Sequence, residues 1–136
     1  MDETADHRQP VIVGVFPGQP AHIVEQAARF AAAFRAELLC AHVRTGHDAE
    51  LVDAELEAQL AQVLAGSTVA WSIRLLAGDI TAALGHLATT VDAAMIVVGS
   101  HERSFGGGVQ EFFNRSVAVH LAHRQDRPVV VVPARP

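Results

Sequence analysis

The sequence predicts an α/β domain built on one open, twisted, five-stranded parallel sheet with helices on both faces. Three observations carry this. Five short apolar runs recur along the 136 residues. Stretches with helical apolar spacing or capping signals separate them, and four of the five runs lack the polar alternation of a half-exposed antiparallel sheet.

Val11–Val15 (VIVGV) is β-branched and runs into Phe16-Pro17-Gly18-Gln19-Pro20, the look of a buried strand entering a turn. Over Ala21–Arg35, Ile23, Ala27, Phe30, Ala31 and Phe34 recur three and four apart and predict one buried helix face. Glu37–Val43 (ELLCAHV) is the second strand. Ala49–Leu64 is the second helix, with Leu51, Ala54, Leu56, Leu60, Val63 and Leu64 on its inner face. Asp48, Glu50, Asp53, Glu55 and Glu57 crowd its start, where the positive end of the helix dipole favours carboxylates, so they read as a solvated helix start and not as metal ligands.

Thr68–Leu76 alternates, with Val69, Trp71, Ile73 and Leu75 against Ala70, Ser72 and Arg74, and so reads as a half-exposed edge strand. Asp79 is placed to cap a helix over Ile80–Thr90. Ala93–Gly99 is the fourth strand, a glycine-rich loop follows, a helix runs from about Gln110 to Arg124, and Pro128–Val132 is the last strand. In such a sheet ligands bind beyond the carboxyl ends of the strands where strand order reverses, which points to the loops after Val15, Val43 and Gly99.

The length suits one domain, residues 10–136, preceded by a polar, disordered tail over 1–9. A net charge of −5 argues against a nucleic-acid partner, and all ten cations are Arg. The single cysteine, Cys40, lies among Leu38, Leu39 and Ala41 and reads as a buried thiol, which suits a reducing compartment. No segment reads as a leader or a membrane span, so a cytoplasmic protein with no membrane partner is expected. Ser100, His101 and Glu102 are consecutive and diverge in extended backbone, and Cys40 lies inside a strand, so no catalytic set emerges and a non-enzyme is expected. His120 and His123 read as surface or packing residues, with no metal site expected.

Several segments together resemble the universal stress protein family. They are VIVGV, ELLCAHV, Leu76-Ala77-Gly78-Asp79, Val97-Val98-Gly99-Ser100-His101 with its glycines, Phe112-Phe113-Asn114-Arg115-Ser116-Val117, and Arg127-Pro128 with the four valines. The resemblance spans nearly the whole chain after Gln9 and implies the strand order 3-2-1-4-5. It also implies a homodimer paired through the last strand, at Val129, Val130, Val131 and Val132 with Val130 and Val131 central, and an unidentified protein partner in the stress response.

Some members of that family bind ATP with Mg²⁺ and others do not. If this chain does, Gly99 turns the loop toward phosphate, Gly106-Gly107-Gly108 forms a lip, and Ser116 and Val117 offer hydroxyl and backbone donors, with Val15 and Val43 at the neighbouring strand ends. Three residues depart from the binding pattern. Phe16 stands where binding members carry Asp, Arg115 stands where Gly precedes the Ser, and Glu102 replaces the second loop glycine. Arg115 either blocks the backbone approach or supplies a bidentate cation. The expected function is a dimeric module acting through protein contacts with weak or no ATP binding; the alternative is a nucleotide-responsive module.

Overall fold

Val11–Gly14 (β1) and Met95–Gly99 (β4) pair in parallel at the centre of the sheet, Val11 opposite Met95 and Val13 opposite Val97. In this computed structural model residues 8–44, 49–100 and 115–134 are described. Leu38–Val43 (β2) flanks β1, Trp71–Leu76 (β3) flanks β2, and Val129–Val132 (β5) flanks β4, giving the order β3-β2-β1-β4-β5 with every pair parallel. The predicted fold class and strand order are both present. Expectations for residues 1–7 lie outside the described residues.

The crossovers are helices: α1 (Ala21–Phe34), α2 (Ala49–Val63), α3 (Ile80–Val91) and α4 (Arg115–Arg124). Side chains alternate across a strand, so each central strand feeds two cores. Val11, Val13, Cys40 and Val97 pack with Ile23, Ala27 and Ala31 of α1 and Leu56 and Leu60 of α2. Ile12, Leu39, Ile96 and Val98 pack with Leu84 and Leu87 of α3 and Val117 and Leu121 of α4. Burial on both faces is why these strands read as uninterrupted apolar runs.

Most boundaries fall within a residue or two of the predicted ones. Where both the expected and the observed boundary lie among the described residues, the largest shift is β3, expected from Thr68 and observed from Trp71, because the Ser67 hydroxyl takes the Val69 N–H at 3.1 Å and holds that stretch in a turn. Asp79 caps α3 as expected, its carboxylate accepting from the Ala82 N–H at 2.9 Å. Phe34 and Leu51, expected on buried helix faces, are 51% and 73% exposed. Each sits in a terminal turn, where burial depends on how far the neighbouring element extends, and periodicity does not report that.

Asp92, in the left-handed conformation that ends α3 (φ 55°), is tied to Arg127 ahead of β5 by a 2.9 Å ion pair. Hydrogen bonds from Arg127 and then Gln9 hold its carboxyl below the ordinary 3.8. A depressed carboxyl stabilises the fold above its unfolded pKa, and that contribution is lost as pH falls through the folded value. In a carbon-detected NMR titration Asp92 is expected to protonate below 3.8 in the native chain and to return toward that value in Arg127→Met. An unchanged titration in the variant means that the ion pair does not form in solution.

Candidate functional site at the carboxyl ends of the central strands

After β1 the chain passes to α1 on one face of the sheet, and after β4 it passes to α4 on the other. Strand order therefore reverses between β1 and β4, the place where open sheets of this kind form a crevice beyond the strand ends. The β1–α1 loop on its rim is held by its own backbone and by three side chains. The Val15 N–H donates to the Ala41 carbonyl at 2.9 Å, and the Gln19 N–H donates to the Phe16 carbonyl at 3.2 Å. Gly18, at φ 81°, donates to the Gln59 side-chain oxygen at 3.2 Å, and the Gln19 amide donates to the Gly14 carbonyl at 3.0 Å. The Val15, Gly18 and Gln19 backbone donors at this rim are therefore already engaged within the chain.

His42 completes the arrangement and was passed over in the sequence, where its only signal was a lone imidazole in an apolar strand. It is buried at the end of β2 and donates from Nδ1 to the Val15 carbonyl at 3.1 Å. That bond satisfies a buried acceptor and joins the ends of β1 and β2 where the loops leave the sheet.

The predicted ligand-facing residues fall into three groups. Val15, Phe16, Val43 and Val117 are all buried, Phe16 at 5% and Val117 at 7% exposure. Phe16 and Val117 belong to one cluster on the α3/α4 face, so both side chains are committed to packing. Gly99 ends β4 against α1, and a Cβ built there would overlap Cδ1 of Ile23 and come within 3.3 Å of its Cγ1. The glycine is required by close helix–strand approach. Arg115 and Ser116 lie in the first turn of α4 as described, whose expected start near Gln110 falls outside the described residues. Gly106, Gly107 and Gly108, together with Glu102 and the Phe112-Phe113 pair, lie outside the described residues.

Ser100 follows β4, its N–H donating to the Val132 carbonyl at 2.9 Å and its hydroxyl accepting from the Ala134 N–H at 3.2 Å. His22 on α1 donates to the Pro133 carbonyl at 2.6 Å. The segment after β5 is thus fastened to both sides of the crevice. On the β2 side of the sheet, Arg44, just after β2, pairs with Asp53 of α2 at 3.0 Å, and the second Asp53 oxygen is buried without a partner among the described residues.

Two further placements bear on chemistry. Burial pushes the Cys40 thiol up to about 12, so it stays protonated near neutral pH and is a poor nucleophile. A concavity of about 470 Å³ bordered by Arg8, Arg35, Glu37 and Ala70 lies at the amino ends of the strands, opposite the crevice. There Arg8 donates to the carbonyl of Arg35, the residue ending α1, at 3.5 Å. Among the described residues no helix is long and apolar enough to cross a membrane.

Three solved structures share this architecture. A universal stress protein from Archaeoglobus fulgidus superposes with a TM-score of 0.72 at 20% identity, covering 90% of this chain and 97% of that one. A universal stress protein in complex with cAMP gives 0.71 at 27% identity, covering 93% and 98%. The Archaeoglobus fulgidus protein in complex with dAMP gives 0.70 at 18%, covering 90% and 96%. No curated protein matches the chain by sequence. The sequence model of the Universal stress protein family matches residues 7–133. With the sheet order, the two-sided core and that match in agreement, the chain belongs to the universal stress protein family.

Proposed function

We propose that the chain is a dimeric, non-catalytic stress-response module of the cytoplasm that acts through protein contacts and whose crevice holds adenine nucleotides weakly or not at all. The observation that carries this is Phe16. At the position where nucleotide-binding members carry an Asp, this chain has an aromatic side chain that is 5% exposed and part of the core. A polar handle for ribose or adenine is replaced by packing, and the backbone donors of Val15, Gly18 and Gln19 beside it are engaged within the chain.

The dimer reading rests on β5. In a parallel strand each residue points its N–H and C=O to the same side, and successive residues alternate. The Pro128 and Val132 carbonyls accept from Ile96 and Ser100, so Pro128, Val130 and Val132 address β4 and only Val129 and Val131 direct backbone groups outward. Of the two valines expected to be central, Val131 has the free edge and Val130 does not. Val131 is also 47% exposed, and Pro128 and Pro133 limit the pairing at either end.

Native mass spectrometry of the purified chain is expected to show a two-chain mass without nucleotide. A monomer at tens of micromolar overturns the assembly, and retained nucleotide overturns the empty crevice. Val131→Pro removes an outward donor and leaves the β4 ladder whole, so sedimentation should move from dimer to monomer with helical circular dichroism preserved.

A second reading, a nucleotide-responsive module, is favoured by the 27% identical neighbour in complex with cAMP. On that reading Gly99, Gly106–Gly108, Ser116 and Val117 surround the phosphates, and Arg115 supplies a cation. Calorimetry with Mg²⁺–ATP and with cAMP separates the two: a dissociation constant in the low micromolar range or tighter decides for the second.

A further inference from the structure

β5 is four identical valines, so the side-chain pattern that normally fixes how two strands align gives no choice here. The backbone does. Among the described residues β5 pairs only with β4, and Val129 and Val131 direct their N–H and C=O groups away from it. By the same alternation the outward row continues to Arg127 at one end and Pro133 at the other, and both are closed from within the chain. Gln125 takes the place of a neighbouring strand for Arg127. Its side-chain oxygen accepts from the Arg127 N–H at 2.8 Å, and its amide donates to the Arg127 carbonyl at 2.9 Å. Pro133 has no N–H to offer, and its carbonyl accepts from His22 Nε2 at 2.6 Å. Ala134 donates to the Ser100 hydroxyl at 3.2 Å and stays turned toward β4. The outward row is thereby cut to Val129 and Val131, with one donor and one acceptor each.

Those groups fit a second copy of themselves in one way. In an antiparallel pair, opposed residues alternate between those that exchange two hydrogen bonds and those that exchange none. With a two-fold axis at Val130, Val129 stands opposite Val131 of the second copy and Val131 opposite its Val129, so every outward group finds a partner. With the axis at Val131 that residue still pairs, but Val129 meets a Pro133 that lacks an N–H and whose carbonyl is occupied. With the axis at Val129, Val131 meets an Arg127 already clasped by Gln125. Each of the two slipped alignments loses half of the bonds.

We propose that Gln125 and His22 set the register of the β5 pair, which is antiparallel and centred on Val130. The inference rests on the two-chain reading and deepens it: that reading needs only the free edge at Val131, whereas the register needs both caps. Val130 lies on the axis without bonding across it. Val131, 47% exposed, is covered by Val129 of the second copy on the same face of the sheet. The extra hydrogen bonds favour this alignment over either slipped one by roughly tenfold.

The test is oxidative cross-linking of Val129→Cys, Val130→Cys and Val131→Cys, each in the full chain, whose own Cys40 is buried. A disulfide needs Cα atoms within about 7 Å. Across the axis they stand about 4.5 Å apart, whereas the two copies of residue 129, or of residue 131, are separated by about 8 Å. Val130→Cys is therefore expected to run as a covalent dimer on a non-reducing denaturing gel, and the other two as monomers. Gln125→Ala frees both backbone groups of Arg127 and should slip the axis, so that Val129→Cys now cross-links. His22→Ala frees only a carbonyl and should admit cross-linking of Val131→Cys more weakly. Cross-linking at Val129 or Val131 with both caps present, or at none of the three positions, overturns the register. Yields that Gln125→Ala and His22→Ala leave unchanged overturn the role of the caps. A wild-type chain that sediments as a monomer removes the two-chain reading and the register with it, whereas a wild-type dimer that cross-links at Val131 removes the register alone. Should Gln125→Ala fail to fold, the three cysteine variants and His22→Ala still decide.

Discussion

Replacing Phe16 by Asp is expected to destabilise the chain by about 3–5 kcal/mol, the range for removing a buried aromatic side chain, before any cost of the carboxylate is added. Phe16 is 5% exposed and packs in the cluster that contains Ala41, Val98 and Val117. With a urea dependence of about 2 kcal/mol per molar, the midpoint should fall by roughly 2 M. The sequence alone suggests Phe16→Asp with Arg115→Gly as a way to raise nucleotide affinity by restoring the family's polar handle. The structure adds that the handle comes at the expense of the core. A loss below about 1 kcal/mol would mean that water reaches this position and that the pocket is built for a polar group. The same denaturation curves report binding directly, since a nucleotide that binds only the folded state raises the midpoint by mass action.

Gly99→Ala should cost about 1–3 kcal/mol, as overpacking in a closed core does, and the cost should be relieved by Ile23→Val. The new methyl group meets Cδ1 of Ile23, an atom that Val lacks, while Cγ1 at 3.3 Å has a counterpart in Val and can give by a few tenths of an ångström. Ile23 is fully buried, so Cδ1 has no solvent to move into. By itself Ile23→Val should cost about 0.5–1.5 kcal/mol. The double variant should be nearly as stable as Ile23→Val, which gives a coupling of opposite sign to the Gly99→Ala loss. If Gly99→Ala is as costly in the Ile23→Val background as in the native one, the glycine is required by something other than α1. Backbone approach of a ligand would then be the first alternative, and nucleotide affinity of the folded variant would test it.

The sequence by itself determined the architecture and several local devices. Val11–Val15 and Ala93–Gly99 carry no polar side chain, the pattern of a strand buried on both faces, and they form two of the three interior strands. Trp71, Ile73 and Leu75 alternate with Ser72 and Arg74, and this strand lies at an edge. Asp79 before an apolar helix announced its cap, and Cys40 amid Leu38, Leu39 and Ala41 announced its burial. Each signal is local, because strand and helix periods and cap chemistry are properties of a few consecutive residues.

Only the tertiary structure decided matters that depend on what stands opposite. Phe34 and Leu51 carry the correct period yet face solvent, and His42 is buried because the Val15 carbonyl, 27 residues away, needs a donor. Gly99 reads as a phosphate-loop glycine until Ile23 is found against its Cα. Val130 and Val131 are indistinguishable in a run of four valines, and the ladder to β4 alone turns one inward and the other out. Periodicity says that a side chain has an inner face, whereas the atom filling the space beyond it comes from a distant part of the chain, and close packing makes that atom decisive.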